Sequence, residues 1–519
     1  MSESSASSDR FLGLSQDKDW FGHPPGLAIL FLTEMWERFS YYGMRALLIF
    51  YLTKHFLFSD TQAYAIYGAY TALVYLTPVI GGVLADRYLG ARKAVTLGAI
   101  LLVLGHGGMA LEGPTAIATI AADGSTVVER HPIFTQIFYL SLALIVCGVG
   151  FLKANISTIV GALYEQGDAR RDGGFTIFYM GINLGAFTAA LICGWLGETF
   201  GWAYGFGLAG LGMLAGLVIF LRGQPFLNGV AEPPDAKLLA APTAMRLSLE
   251  HTIYVGTVLG LGVVWFLVQN QHVVGSLLGL FGLLMLGVIL FYAFLRCTPE
   301  ERDRLFVLTA LTLFSVLFWA LFEQAGSSLN LFTDRSVDRT IFGVEIAAST
   351  FQSLNPLFII MLAPFFSVLW LSLAKRNREP SVPVKFAIAL ALVGLGFLVL
   401  AFGAGLTDGD AKTGLIWIVL LYFLHTCGEL CLSPIGLSAV TKLSVPKIVG
   451  MMMGVWFLAA SGANYIAGLI AGLTSAEGAA DAASHVVSVY VEVGWMAIGA
   501  GALLLLLSRL LQQRMHGIR

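Results

Sequence analysis

The chain has 519 residues, 57% hydrophobic and only 12% charged, with a mean hydropathy of +0.79. Soluble domains carry about 25% charged residues, so this chain is too poor in charge to coat a water-exposed surface. Its formal net charge of −2 gives no basis for a nucleic-acid partner, and its five cysteines fall in no metal-binding or redox spacing.

The first 25 or so residues are polar and lack the apolar core of a cleavable signal. The first spanning helix is expected to serve as the targeting signal instead. A helix needs about 20 apolar residues to cross the hydrocarbon core. In chain order, spans are predicted near 27–52, 62–85, 93–111, 134–158, 174–197, 203–221, 250–269, 274–295, 304–327, 351–374, 384–404, 414–439, 447–474 and 487–508. An even number of spans puts both termini on one side. Most Lys and Arg fall on that side, while the opposite loops hold Lys54, Arg130, Arg335, Arg339 and Lys412. The positive-inside rule therefore predicts cytoplasmic termini in a plasma, or inner, membrane.

A Pro-containing cytoplasmic linker, 222–249, separates six spans from the remainder. The pair 250–295 turns at Gln269–His272 and reads as an insertion. The expected architecture is all-α and polytopic. It comprises a tail at 1–26, a six-helix bundle at 27–221, the linker, the inserted pair, a second six-helix bundle at 304–508 and a tail at 509–519. Two bundles of this kind are the layout of a transporter with a central cavity.

Glu34, Glu37, Arg38, Arg45, Lys153, Glu323, Glu429 and Glu492 all fall within spans. A charge at the bilayer centre costs at least ~2.5–3.5 kcal/mol and persists where it meets a partner or a wet cavity. Paired charges can serve packing alone, but eight of both signs favour function. Spacing by three and four places Glu34, Glu37, Arg38, Tyr41 and Arg45 along one helix stripe. Cations gather in the N-terminal half and lone carboxylates in the C-terminal half. A cavity between them would suit a small ligand with a carboxylate at one end and an amine at the other. The 334–339 run of Asp334, Arg335, Asp338 and Arg339 reads as a solvated loop.

Glu34, Glu37, Arg38, Phe39, Tyr41, Tyr42 and Gly43 spell ExxERFxYYG, and Phe178, Tyr179, Ile182, Asn183 and Gly185 spell FYxxINxG. With these two motifs the chain resembles the proton-dependent oligopeptide transporter family of the major facilitator superfamily. The segment 81–93 resembles that superfamily's loop between spans 2 and 3. The resemblance implies the major facilitator fold with an inserted helix pair, as in prokaryotic members. It implies a symporter that imports di- and tripeptides with protons by alternating access, without a cofactor and without catalysis, and that works as a monomer.

Position by position, the resemblance assigns Arg45 and Lys153 to the peptide carboxylate, with Lys153 also a partner for the first-helix motif. It assigns Glu429 to the peptide amine, and Asn183 and Asn355 to its backbone. Tyr41, Tyr42 and Tyr75 would supply hydroxyls, and Trp319 and Trp456 apolar side-chain pockets. Glu34, Glu37, Arg38 and Glu323 form the proton-coupling group, with Glu323 favoured over Glu37 as the proton carrier. Gly68 stands where animal members carry a His, which removes that proton site here. The competing readings are a symporter of another small anion or zwitterion, such as nitrate or a modified amino acid, and a multi-pass membrane enzyme. No HExxH, GxSxG or Asp-rich phosphate motif supports the enzyme.

Overall fold

Only helices and closed barrels satisfy every backbone polar group inside a bilayer, and this chain takes the helical solution. The computed structural model describes residues 10–15, 18–123, 125–243, 246–407, 411–475 and 482–518. Its long helices are α1 (Gly26–Phe50), α2 (Asp60–Leu84), α3 (Gly90–Met109), α4 (Pro132–Ala162), α5 (Arg171–Ala189), α6 (Trp202–Gly223), α7 (Leu249–Gln269) and α8 (Gln271–Leu295). They continue with α9 (Pro299–Phe322), α10 (Leu354–Lys375), α11 (Val382–Gly405), α12 (Leu415–Leu443), α13 (Val449–Leu473) and α14 (Ala482–Arg514). Among the described residues, twelve stretches are long and apolar enough to cross a membrane. One of these, Asp60–Met109, contains both α2 and α3. Helix α1 falls outside the twelve because it carries Glu34, Glu37, Arg38 and Arg45. The expectation of fourteen spans is thereby accounted for.

By its contacts the chain divides into two compact units. The first is Met1–Leu47 with Leu76–Gln269, and the second is Leu48–Tyr75 with Asn270–Arg519. The inserted pair is divided between them, with α7 in the first unit and α8 in the second. The ends of α1 and α2 farthest from the termini belong to the second unit.

Within the first unit, α3 packs on α4 and α6, and α7 packs on α4. The Lys93 ammonium donates to the Glu250 carboxylate at 2.6 Å, which ties α7 to the start of α3. In the linker, Glu232 pairs with Arg92 at 2.5 Å. Ahead of α1, Leu14 packs with Ile29 and Phe226, and Arg170 reaches Asp19 at 3.2 Å. Side-chain and backbone hydrogen bonds from Arg170 hold the neighbouring Asp168 below the usual carboxylate range.

Within the second unit, α11 packs on α12 and α14, and α13 packs on α8 and α9. The far ends of α1 and α2 are held here by ions and by glycine. Lys54 pairs with Asp334 at 2.7 Å, and Arg335 grips both oxygens of Asp60 at 2.5 and 2.9 Å. The 334–339 segment is therefore no free loop: Arg335 and Asp338 are exposed, as expected, but these pairs, and that of Arg339 with Glu345, fix it in place. At Gly68 a Cβ would sit 2.9 Å from the Cα of Gly468, so α2 and α13 cross at two glycines. A side chain at position 68 would therefore require the α13 backbone at Gly468 to shift.

Two further details differ from expectation. Helix α9 starts at Pro299, set by a Thr298–Glu301 capping box, and stops at Phe322. A 3-10 turn, Glu323–Gly326, then leads into a short helix, Ser328–Ser336. The run Glu323–Ser328 contains Gly326 and three polar side chains besides Glu323 that compete for backbone hydrogen bonds, which ends the α-helix early. Glu492 is exposed rather than turned inward. The buried stripe of α14 runs through Val489, Tyr490, Val493, Gly494 and Ala497, and its phase puts residue 492 on the opposite face.

Candidate functional site

The two sequence motifs meet in the first unit. A Cβ on Gly185 would lie 2.2 Å from the backbone oxygen of Met35 and 3.1 Å from the Cβ of Arg38. A Cβ on Gly43 would lie 2.8 Å from the sulfur of Cys193. The glycines of ExxERFxYYG and FYxxINxG thus let α1 lie against α5 and the π turn that follows it, Ala190–Gly194. Close approach of this kind is what small residues permit between membrane helices.

That crossing seals a charge cluster away from water. Glu34, Glu37, Arg38 and Arg45 are all buried. The Arg38 Nε donates to Glu34 at 2.8 Å and lies 2.7 Å from Glu37. One guanidinium therefore answers two carboxylates, and Lys153 acts on Glu37 as a second positive charge. The Arg38 guanidinium stands over the Tyr41 ring at 6.0 Å, and that of Arg45 over the Tyr42 ring at 5.9 Å. The amide of Asn183 is buried and donates back to Tyr179 O at 3.0 Å within its own helix. Glu34, Glu37, Arg38, Tyr41, Tyr42, Arg45, Lys153 and Asn183 all belong to the first unit.

The second unit holds the other expected residues. Asn355 Nδ2 donates to Glu429 at 2.8 Å and to Thr426 Oγ1 at 3.1 Å, which joins α10 to α12. Glu323 acts on Glu429 as a like charge. The partners given to Glu429 are thus an amide and a second carboxylate. Trp319 packs edge-on against Phe318 and Phe322, with ring centroids 5.2 and 5.4 Å away. The ring of Trp456 fills the space that a Cβ on Gly436 would need, at 2.6 Å. Tyr75 is partly buried and lies in this unit. His425 is spent on packing: it bonds Val393 O at 3.1 Å and lies between the Phe322 and Phe397 rings. Gly436 and Gly468 serve close packing, whereas Gly450, Gly454 and Gly462 face open space.

Thr426 was not foreseen, although a hydroxyl three residues before a buried Glu is a usable signal on a helix. Gln324, Ser327, Ser328 and Tyr490 were also missed. All four are buried beside the end of α9. Their signal was the polar run that interrupts an apolar span directly after Glu323. Among the described residues, no three of His, Cys, Asp and Glu converge as metal ligands would.

The chain is similar to the peptide transporter YePEPT of Yersinia enterocolitica subsp. palearctica, at 40% identity across 89% of this chain and 90% of that protein. It is similar to the di-/tripeptide transporter of Lactococcus lactis subsp. lactis, at 34% identity across 97% and 99%. Among solved structures, a peptide transporter POT in complex with sulfate matches with a TM-score of 0.81 at 36% identity, across 96% of this chain and 97% of that one. A POT family transporter in complex with 5-aminolevulinic acid matches with a TM-score of 0.79 at 32% identity, across 95% and 98%. Residues 92–487 match the family described as PTR2, POT family. The chain belongs to the POT family.

Proposed function

We propose that this chain is a proton-coupled symporter of di- and tripeptides. The observation that carries the reading is the sorting of charge inside the membrane helices. Arg38, Arg45 and Lys153 lie in one unit, and Glu323 and Glu429 in the other. A short peptide at neutral pH is a zwitterion, and this sorting matches its two ends. Arg45 and Lys153 receive its carboxylate, and Glu429 receives its amine. Asn183 and Asn355 bond its backbone. Asn355 offers Oδ1, because its Nδ2 already serves Glu429 and Thr426. Tyr41, Tyr42 and Tyr75 contribute hydroxyls, and Trp319 and Trp456 border its side chains. The protein works as a monomer in the inner membrane with cytoplasmic termini, and takes protons as its coupling ion without a metal or cofactor.

Glu323 carries the transported proton in preference to Glu37. Protonating Glu37 would sacrifice its contact with Arg38 at 2.7 Å. Protonating Glu323 relieves the like-charge repulsion between it and Glu429. A peptide amine arriving at Glu429 changes that repulsion. Peptide and proton therefore act on each other's affinity, which is the reciprocity that coupling requires.

The test is uptake of labelled dialanine into proteoliposomes, with and without an inward proton gradient, beside Glu323→Gln. Gradient-driven accumulation in the wild type, lost in Glu323→Gln while exchange survives, is the expected result. Gradient-independent uptake, or none, would reject the symport reading. Accumulation retained in Glu323→Gln would move the proton to the Glu34–Arg38 cluster.

A second reading has one observation in its favour: a 32% identical POT family transporter is seen with 5-aminolevulinic acid. That compound is a zwitterion without a peptide bond. If it drives exchange of this protein and dialanine does not, the substrate is a small zwitterion rather than a peptide.

A further inference from the structure

The end of the second unit that carries the C-terminus holds a cavity of about 480 Å³, lined by none of the residues assigned to peptide or proton. One wall is the connection from α10 to α11, with Glu379, Ser381 and Lys385. The other is the close of α14 and the residues after it, with Gln512 and Met515. Both walls are fixed. Asn377 takes a left-handed φ of 53°. Its N–H donates to Ala374 O at 3.0 Å and that of Arg378 to Leu373 O at 2.9 Å, the paired bonds that close a helix at such a residue. On the other wall, Asp303 accepts from Arg514 at 2.7 Å and lies 3.2 Å from His516 Nε2, and the Met515 side chain between those two is buried.

Two groups of this cavity are suited to an anion. The Lys385 side chain is buried, only 7% exposed. Its ammonium stands 4.5 Å from the centre of the Trp370 ring and donates to the Glu379 carboxylate at 2.6 Å. Glu379 is 41% exposed, so it is a tethered anion that can turn to solvent and leave the ammonium to another. Ser381 stands directly before α11, where a serine hydroxyl ordinarily accepts from the first helical amides. Here it makes no such bond, and its Oγ is buried without a hydrogen-bond partner among the described residues. A buried hydroxyl of a native protein rarely goes unpartnered, and the positive end of the α11 dipole lies beside this one. Residues 375–385 set Lys375, Arg376, Arg378 and Lys385 against Glu379 alone, and the first three are exposed.

We propose that this cavity binds a phosphate group, on an anionic phospholipid or free, with Lys385 and Ser381 as its donors and Glu379 as the internal competitor it displaces. A phosphate presents oxygens on more than one side, so one group meets the ammonium, the hydroxyl and the helix end together. Basic pockets between membrane helices hold lipid head groups in the same way. The bound group ties the α10–α11 connection to the close of α14. The inference does not depend on the peptide or proton readings.

The test titrates delipidated, detergent-purified full-length protein at fixed ionic strength with dihexanoyl phosphatidylglycerol, dihexanoyl phosphatidylcholine and inorganic phosphate, and reads the heat of binding. The expected result is saturable binding of phosphatidylglycerol or inorganic phosphate, weakened about tenfold in Lys385→Gln and in Ser381→Ala. Glu379→Gln removes the competitor and should tighten binding about threefold. Lys442→Gln removes an exposed cation from the last turn of α12, outside the cavity, and should bind as wild type. Phosphatidylglycerol bound with inorganic phosphate ignored makes the source a lipid; saturation by inorganic phosphate makes free phosphate sufficient. Binding of neither, or equal binding of phosphatidylcholine, would overturn the proposal. Binding left unchanged by Lys385→Gln and Ser381→Ala would place the anion elsewhere, for instance on Arg45 and Lys153, and overturn it too. Weaker binding in Glu379→Gln would overturn the displacement. Ser381→Ala and Glu379→Gln each alter one polar group, so the test stands even where Lys385→Gln fails to fold.

Discussion

The two units keep carboxylates inside the membrane by different means. In the first, Glu34 and Glu37 share one guanidinium, at 2.8 and 2.7 Å, with Lys153 acting on Glu37 as well. In the second, Glu429 has an amide at 2.8 Å and a carboxylate neighbour. The first arrangement is a lock: every charge has an opposite, and removing one strands the others. The second is tunable, since a neutral amide can stay bonded to the carboxyl group in either protonation state, whereas a guanidinium loses its ion pair when the carboxylate is protonated. A symporter needs both, a rigid ionic frame and a carboxylate whose protonation can change.

The sharpest way to break this contrast is to remove the shared cation. Arg38→Met should leave two buried carboxylates with Lys153 acting on Glu37 but without the guanidinium they share, and cost roughly 3–5 kcal/mol. A fluorescence melting curve of detergent-purified protein checks this. Glu429→Gln keeps the bond from Asn355 in neutral form and should cost less than about 1.5 kcal/mol. Its loss should appear in dialanine uptake instead. If both variants melt alike, the lock and the tunable site are not different in kind.

A middle-sized effect tests the glycine crossings on which each arrangement sits. Gly185→Ala drives a methyl to within 2.2 Å of a backbone oxygen, and Gly468→Ala to within 2.8 Å of the Tyr64 backbone oxygen. Each should cost roughly 1–3 kcal/mol by overpacking, read from the same melting curves. Gly454→Ala, which faces open space, is the control and should stay near wild type.

How much of this was legible beforehand divides along the same line. The apolar runs announce the helices, because length and apolarity are what a bilayer demands. The Glu34–Arg38 cluster is readable too, since its partners lie three and four residues apart on one helix. At the second site the residues are named by the resemblance but their pairing is not readable, because Asn355 and Glu429 sit 74 positions apart and only packing unites them. The end of α9 was missed for a similar reason. Residues 323–328 are polar, but their polarity looked like the outer end of a span rather than a turn in mid-path. Glu492 was misplaced because hydropathy reports depth and not helix phase. The run of Asp334, Arg335, Asp338 and Arg339 reads as a solvated loop because no local pattern ties it to Asp60 of α2, 275 residues earlier.

That last group supplies the smallest expected effect and the finest contrast. The Arg335–Asp60 pair has the bidentate geometry that favours a strong bond, yet the arginine side chain is 51% exposed. Solvent and salt screen such a pair, so Asp60→Asn should cost no more than about 1 kcal/mol, and less at high ionic strength. Arg38→Met should show no comparable salt dependence, because its partners are shielded from water. Melting curves at low and high salt separate the two. If Asp60→Asn loses the same stability at both salt concentrations, the pair that fastens α2 to the 328–336 helix is not screened as its exposure implies, and the contrast with Arg38 fails.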